Sequence, residues 1–143
     1  MFLKQLTVFL ENREGRLDSV TDLLAKNDIN IACLALADTS EYGVLRLVVS
    51  DPDKAKAILK EEGYSSRLTE VLGVRLAQVP GSVNKLTRVL AAENINIEYM
   101  YAFIAVAKKQ AAVVLRVADN ESAEKILKEN GISLLDENEI INI

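Results

Sequence analysis

The sequence predicts an α+β fold made of two tandem βαββαβ units, and two observations lead to this prediction. The first is an internal repeat, because the segment Ile29–Ile31 reappears 66 residues later as Ile95–Ile97. The second is the spacing of the apolar residues, which in each half changes between the two-residue period of a strand and the longer period of a helix. With 143 residues, 50% of them hydrophobic, the chain is long enough for two small domains with packed cores.

The repeat runs through the whole chain. Further along, the run Ile58–Glu61 matches Ile126–Glu129 at an offset of 68 residues, and a two-residue insertion near residues 106–110 accounts for the change of offset. We therefore expect two domains, at residues 1–69 and 70–143. The junction has no linker rich in Gly, Ser or Pro, which predicts that the two copies pack together.

The elements of the first copy follow from its apolar spacing. A strand with one buried face is predicted where every second residue is apolar, and a helix where that spacing lengthens to three or four residues. Two further strands begin near Ile31 and Val44. The residues that define the first strand and the first helix are Leu6, Val8, Leu10, Leu17, Val20, Leu23 and Leu24.

The second helix of the first copy is predicted between Asp51 and Gly63. Asp51 suits the N-cap, Pro52 suits the first helical position, and Gly63 suits the C-terminal stop. A short strand completes the unit, and the second copy repeats the same order. This βαββαβ order is the ferredoxin-like arrangement, in which a four-stranded antiparallel sheet carries two helices on one face.

The second strand of each copy is an edge strand in this arrangement, yet "INIACLALA" and "INIEYMYAFIAVA" are the most apolar segments of the chain. An exposed apolar edge promotes aggregation. We therefore expect the two edge strands to pair with each other and to join the sheets edge to edge into an eight-stranded sheet. Within these strands, Cys33 is predicted to be a small buried residue, and Tyr99, Tyr101 and Phe103 are predicted to serve packing.

Composition and charge argue against several classes of function. No run approaches the ~18 apolar residues of a membrane span, and the N-terminus does not look like a signal peptide. The net charge of −4 argues against a nucleic-acid partner, which would favour clustered Lys and Arg. The single cysteine cannot form a disulfide within the chain. The sequence has no histidine, which is the commonest general base and the commonest metal ligand. We expect a cytoplasmic protein without a cofactor or membrane partner.

The loops that precede the first helix of each copy carry a family resemblance. In the second copy, the strand that ends in "QVPGSV", the amphipathic helix after it and the segment "ENINIEYM" resemble an ACT domain. Pro80 and Gly81 match the Pro-Gly pair of that family. The first copy keeps only the glycine, Gly15, with Glu14 in place of the proline.

The resemblance covers the whole chain and implies a free-standing, non-catalytic regulatory protein with two ACT domains. It implies a free amino acid bound between the copies, an enzyme of amino-acid metabolism as a partner, and a homodimer. Physical chemistry supports such a site, because N–H groups at a helix start attract a carboxylate and asparagine oxygens suit an ammonium group. The candidate ligand-binding residues are Asn12, Arg13, Gly15, Arg16, Leu17, Asn30, Ile31, Pro80, Gly81, Ser82, Val83, Asn96 and Ile97.

Each candidate also has a plainer interpretation. The two glycines suit a tight turn, the two asparagines can satisfy backbone groups between helix and strand, and the two arginines can be solvated surface charges. The apolar surroundings of Val83, Ile97 and Met100 favour an aliphatic or aromatic ligand over a charged one.

Three other functions compete with amino-acid sensing. A structural or protein-interaction module without a small ligand fits the same sequence. An acylphosphatase-like enzyme shares the βαββαβ order, but "LENREGRL" does not follow the required pattern of a glycine-rich loop with a catalytic Arg and a later Asn. The sequence offers no nucleophile beside a base. RNA binding would require aromatic residues on a basic sheet surface, which the central strands lack.

Overall fold

The computed structural model describes residues 2–38, 41–104 and 110–141, which form two compact units. The N-terminal unit is built mainly from Lys4–Thr69, and the C-terminal unit mainly from Glu70–Glu139. The elements in chain order are β1 (Leu3–Glu11), α1 (Arg16–Lys26), β2 (Ile31–Asp38), β3 (Tyr42–Val49), α2 (Pro52–Glu61), β4 (Ser65–Ala77), α3 (Ser82–Ala92), β5 (Tyr99–Ala102), β6 (Gln110–Arg116), α4 (Asn120–Glu129), β7 (Leu134–Leu135) and α5 (Glu137–Ile141).

The N-terminal unit has the strand order β2-β3-β1-β4, in which β3 is antiparallel to both of its neighbours. Leu6 and Val8 of β1 face the core together with Leu24 of α1 and Leu59 of α2, and all four side chains are fully buried. Burying one such side chain contributes roughly 1.5–3 kcal/mol to folding. The predicted strand and the helical spacing after it are confirmed. The expectation of a single buried face is wrong, because Gln5 and Thr7 on the other face of β1 are buried too, and the Gln5 side-chain N–H donates to Thr7 Oγ1 at 3.2 Å.

The C-terminal unit repeats this plan. Its strand order is β7-β4-β6-β5, and β6 is antiparallel to both β4 and β5. Leu72 of β4, Leu90 of α3 and Leu127 of α4 are buried in its core. In both units the order is therefore fourth, first, third and second strand, which is the predicted ferredoxin-like arrangement.

The second helix of each unit begins as the residue types predict. Asp51 caps α2 by accepting a hydrogen bond from the Lys54 N–H at 3.1 Å, and Pro52 occupies the first turn. Asp119 caps α4 by accepting from the Ser122 N–H, also at 3.1 Å. An aspartate at the N-cap satisfies an N–H group that has no partner within the helix, so the predicted start of α2 is confirmed.

The strand β4 changes the predicted strand count. It runs unbroken for 13 residues, since Ser65–Leu72 contains no Gly or Pro that would end a strand. It therefore supplies the last strand of the N-terminal unit and the first strand of the C-terminal unit. The described residues form seven strands. In the strand order of this part of the chain, β2 and β5 are the two terminal strands, and they do not pair with each other. The expected eight-stranded sheet, joined through those edge strands, is not confirmed.

The strand β5 is shorter than predicted. It contains four residues, and the preceding segment that includes Ile95 and Ile97 is not a strand but packs against the C-terminal core. The rings of Tyr99 and Tyr101 stack with centroids 6.4 Å apart, as expected for packing. The predicted insertion near residues 106–110 lies almost entirely outside the described residues.

Candidate functional site

The two candidate loops share one backbone geometry. Gly15 and Gly81 are the N-cap residues of α1 and α3, at φ angles of 79° and 91°. These angles lie in the left-handed region, which glycine adopts without the steric cost that a Cβ imposes. A Cβ built on either glycine meets no atom within 4 Å. The backbone angle, and not crowding, therefore requires glycine at both positions.

The helices that follow these glycines start differently from the other two long helices of the fold. The N-cap residues of α1 and α3 are glycines, which have no side chain to cap the helix, whereas Asp51 and Asp119 cap α2 and α4. The first N–H groups of a helix have no acceptor within the helix and carry the positive end of its dipole. The uncapped starts of α1 and α3 are therefore suited to a carboxylate.

In the N-terminal unit, the two candidate arginines lie around one acidic residue. Arg13 Nε and Arg16 Nη2 each approach Glu11 Oε2 at 3.5 Å. Arg16 Nε is buried and has no hydrogen-bond partner among the described residues. Asn12 is held by its backbone, since its N–H donates to the Glu41 carbonyl at 3.2 Å. Arg16 thus presents a buried donor near the start of α1.

In the C-terminal unit, the loop is more apolar. Pro80 is exposed, and the Ser82 N–H donates to the Val79 carbonyl at 3.3 Å, which closes the turn before α3. The side chains of Val79 and Val83 are 62% and 48% exposed. The first turn of α3 contains no acidic residue, whereas that of α1 contains Asp18. The positive end of α3 is therefore less neutralised than that of α1.

The structure does not bring the two kinds of candidate residue together within one unit. Gly15 precedes α1 and Asn30 follows it, so they lie at opposite ends of a helix that is about 16 Å long. Asn30 is joined to the end of β3, because its N–H donates to Ser50 Oγ at 3.0 Å and its carbonyl accepts from the Ser50 N–H at 2.9 Å. Asn96, its counterpart in the other unit, is exposed.

Sequence reasoning missed the residues that make the turn after α1 and α3. Asp28 and Asn94 adopt φ angles of 57° and 58°, and each donates its N–H to a carbonyl in the last turn of the helix. Asp and Asn tolerate this left-handed conformation at helix ends better than most residues. The sequence feature that could have identified them is an Asp or Asn placed two residues after the last residue of the helix.

Three candidates serve the cores. Leu17 and Ile31 are partly buried against the core of the N-terminal unit, and Ile97 is partly buried against that of the C-terminal unit. Their side chains already have apolar neighbours. We therefore expect them to support the loops rather than to contact a ligand.

The chemistry available elsewhere is limited. Burial raises the pKa of the Cys33 thiol to about 12, so the reactive thiolate form is suppressed, as the sequence predicted for a buried cysteine. Among the described residues, no group of three or more Cys, Asp or Glu side chains is placed to hold a metal ion. In the same part of the chain, no helix is long and apolar enough to cross a membrane.

Comparisons with known proteins identify the family of this chain. A family model described as an ACT domain pair matches residues 1–143. Protein BT0572 from Bacteroides thetaiotaomicron, a solved structure, is 39% identical with a TM-score of 0.93, and the match covers 100% of this chain and 98% of that one. A comparison with curated proteins found no match.

More distant structures share the fold. The ligand-free regulatory subunit of aspartate kinase from Thermus thermophilus is 18% identical with a TM-score of 0.63, over 88% of this chain and 91% of that one. The corresponding subunit from Thermus flavus is 20% identical with a TM-score of 0.61, over 87% and 88%. At these identities the likeness concerns the fold alone.

Proposed function

Because this chain belongs to the ACT domain pair family, we propose that it is a non-catalytic regulatory protein whose glycine loops bind a free amino acid. One observation supports this most directly. Both α1 and α3 begin at a left-handed glycine, which cannot cap the helix with a side chain, while the other helix of each unit is capped by aspartate. The uncapped starts provide backbone donors for a carboxylate in both units.

The surroundings of the loops favour a particular class of amino acid. Val79 and Val83 expose apolar surface beside Gly81, which suits an aliphatic or aromatic side chain. In the N-terminal unit, the unpartnered Arg16 Nε offers a further donor to a carboxylate. The ammonium group of the ligand requires oxygen acceptors, and Asn30 and Asn96 stay our proposal for that role. The glycine and the asparagine of one unit cannot contact the same amino acid, because the length of a helix separates Gly15 from Asn30.

The regulated partner is proposed to be an enzyme of amino-acid metabolism. The two Thermus proteins that share this fold are regulatory subunits of aspartate kinase, and this supports a partner of that general class. A ligand shifts the balance between two arrangements of a regulator only by its difference in affinity for them. The ligand-free and ligand-bound forms must therefore differ in the surface that contacts the enzyme. The homodimer and the cytoplasmic location stay predictions.

A thermal-shift screen against the twenty common amino acids tests the proposal. A ligand present at about 100 times its Kd stabilises the folded state by about 2.7 kcal/mol, which raises Tm by several degrees. We expect this rise for one or a few aliphatic or aromatic amino acids, and its loss when the carboxylate of the same amino acid is replaced by an amide. If no amino acid raises Tm at millimolar concentration, the chain is better described as an interaction module without a small ligand.

A further inference from the structure

The turn that ends α4 contains a pair of residues that is prone to spontaneous modification. Asn130 precedes Gly131, and no other asparagine in the sequence precedes a glycine. Asparagine is a thermolabile residue, because the backbone nitrogen of the next residue can attack its side-chain carbonyl carbon. A glycine offers the least hindered nitrogen for this attack, because it has no Cβ. Whether Asn130 reacts in the folded chain then depends on its surroundings.

The folded turn holds both reacting groups in hydrogen bonds. The Gly131 N–H donates to the Lys128 carbonyl at 3.1 Å, and the Asn130 side-chain amide donates to the Ile126 carbonyl at 2.8 Å. The backbone of Asn130 lies at a φ of −97° and a ψ of 13°. At this ψ the Gly131 nitrogen points away from the Asn130 side chain, and ring closure must bring the two together. The reaction therefore requires the turn to open.

Opening of this turn does not require the C-terminal unit to unfold. Residues 128–131 are all exposed, whereas the flanking Leu127 and Ile132 are buried in the core. The Ile132 N–H donates to the Leu127 carbonyl at 2.9 Å, so the exposed segment is anchored on both sides. Such segments open with small free energies, because few buried contacts are lost. The turn can therefore open while the core stays packed.

The first copy of the repeat has the same turn without the reactive residue. At the 68-residue offset, the pair Asn130–Gly131 corresponds to Glu62–Gly63. Gly63 has a φ of 84° and Gly131 a φ of 72°, and the Gly63 N–H likewise donates to a carbonyl in the last helical turn, that of Lys60, at 3.1 Å. Both turns therefore require the glycine, whereas the residue before it can vary without loss of the fold.

From these observations we propose that Asn130 is a deamidation site of the folded protein, reached through local opening of the turn after α4. In the open turn the Gly131 nitrogen gives up its proton and bonds to the side-chain carbonyl carbon of Asn130. The bond from that carbon to the amide nitrogen breaks, and the amide nitrogen leaves with the proton as ammonia. The product is a five-membered succinimide ring. Water then adds to either carbonyl of the ring and opens it, which gives aspartate or isoaspartate at position 130.

The product changes the charge of a groove that Gly81 also lines. This groove lies beside α3 and the end of α4, encloses about 410 Å³, and has Asn84 and Asn130 among its lining residues. Deamidation replaces the neutral amide of Asn130 by a carboxylate there. The functional consequence rests on the proposed function, because a ligand carboxylate at the start of α3 is repelled by the new negative charge. Deamidation should therefore weaken amino-acid binding.

Peptide mapping by mass spectrometry during storage in mildly alkaline buffer tests the site. We expect Asn130 to be the first asparagine modified in the native chain. Its rate should be between about tenfold and a few hundredfold below the rate in urea, because local opening breaks two or three hydrogen bonds. Asn130→Gln should abolish this modification, since the longer side chain must close a less favourable six-membered ring. Asn84→Gln, an exposed residue of the same groove, is the matched control and should leave the rate unchanged.

Three outcomes would overturn the proposal. One is that another asparagine is modified first in the native chain. Another is a native rate equal to the rate in urea, because the folded turn then gives no protection. The third is a native rate lower by several thousandfold or more, the slowing expected if Asn130 reacts only after global unfolding. A retained Tm checks that each variant folds.

The consequence for binding has its own test. Asn130→Asp carries the charge of the product, and we expect it to raise the Kd of the best-binding amino acid by about twofold or more, whereas Asn130→Gln leaves the Kd unchanged. An equal Kd for both variants would show that the charge at position 130 does not act on the ligand. If no amino acid binds the native chain, the proposed function fails, while the mass-spectrometric result for Asn130 stands by itself.

Discussion

Replacing Gly81 by alanine separates the backbone role of this glycine from a role in binding. Its φ of 91° places an alanine in the left-handed region, which costs about 1–2 kcal/mol, and no neighbour lies within 4 Å of the new Cβ. The destabilisation should therefore come from backbone strain alone and lower Tm by several degrees. If the ligand carboxylate binds at the start of α3 as proposed, the new methyl group should also weaken its binding.

Gly131→Ala is the matched control, because Gly131 has a φ of 72° and its Cβ would also meet nothing within 4 Å. Chemical denaturation should show similar losses of unfolding free energy in the two variants. Calorimetric titration with the best amino acid from the thermal-shift screen should show weaker binding only in Gly81→Ala. Unchanged binding in Gly81→Ala, or an equal loss in both variants, would refute the reasoning that places the ligand at this loop.

Three further predictions concern stability and reactivity. Gly73→Ala should lower the unfolding free energy by about 1–3 kcal/mol in urea denaturation, because its Cβ would lie 3.1 Å from Leu135 Cβ and 2.6 Å from Cδ1 of the buried Leu3. Gly43→Ala, whose nearest contact is 3.5 Å, should change it by less than about 0.5 kcal/mol. Equal effects would show that these two leucines do not restrict the side chain at position 73. The native Cys33 thiol should resist a disulfide reagent at pH 8 and react on unfolding, because its raised pKa of about 12 keeps it protonated in the folded state. The same raised pKa predicts that the unfolding free energy falls as pH rises from the ordinary thiol pKa towards 12. Rapid labelling of the native protein would show that the thiol is accessible. Hydrogen bonds from the Ser122 hydroxyl and N–H hold the pKa of Asp119 below its ordinary value, so its stabilisation is present above the unfolded pKa and is lost as pH falls through the folded one. Asp119→Asn, which keeps a capping oxygen, should therefore flatten the acid side of a Tm-against-pH curve, and an unchanged slope would argue against this linkage.

The order of elements could be predicted because it depends on local patterns. Alternating residues such as Leu6 and Val8, helical spacing in α1, and the Asp51–Pro52 start of α2 each act through neighbours in the sequence. Because the second half of the sequence repeats the first, the same elements could be assigned to the second copy. This explains why the βαββαβ order was right in both units.

The joining of strands could not be predicted in the same way. Where β4 continues from Ser65 to Ala77, the sequence has no residue that forbids a turn and none that requires one. The shortness of β5 has a similar origin, because Ile97 fits a strand by propensity but packs against the core from a non-strand segment. In both cases tertiary contacts decide between local alternatives.

The candidate site was predicted in part. The left-handed glycines at Gly15 and Gly81 follow from residue type and position, and both have the expected backbone role. Sequence reasoning did not find the left-handed Asp28 and Asn94, because their conformation depends on how a helix end meets the segment that follows it. The ligand-binding role of the candidate residues stays a proposal.

Backbone amide chemical shifts measured by NMR during titration with the best-binding amino acid test the central claim most directly. We predict saturable shifts at the starts of α1 and α3, at Gly15–Asp18 and Gly81–Asn84, because a carboxylate there changes the environment of the uncapped N–H groups. The amides that start the capped helices α2 and α4 should change little. A bound amino acid that leaves both glycine segments unshifted would contradict the account.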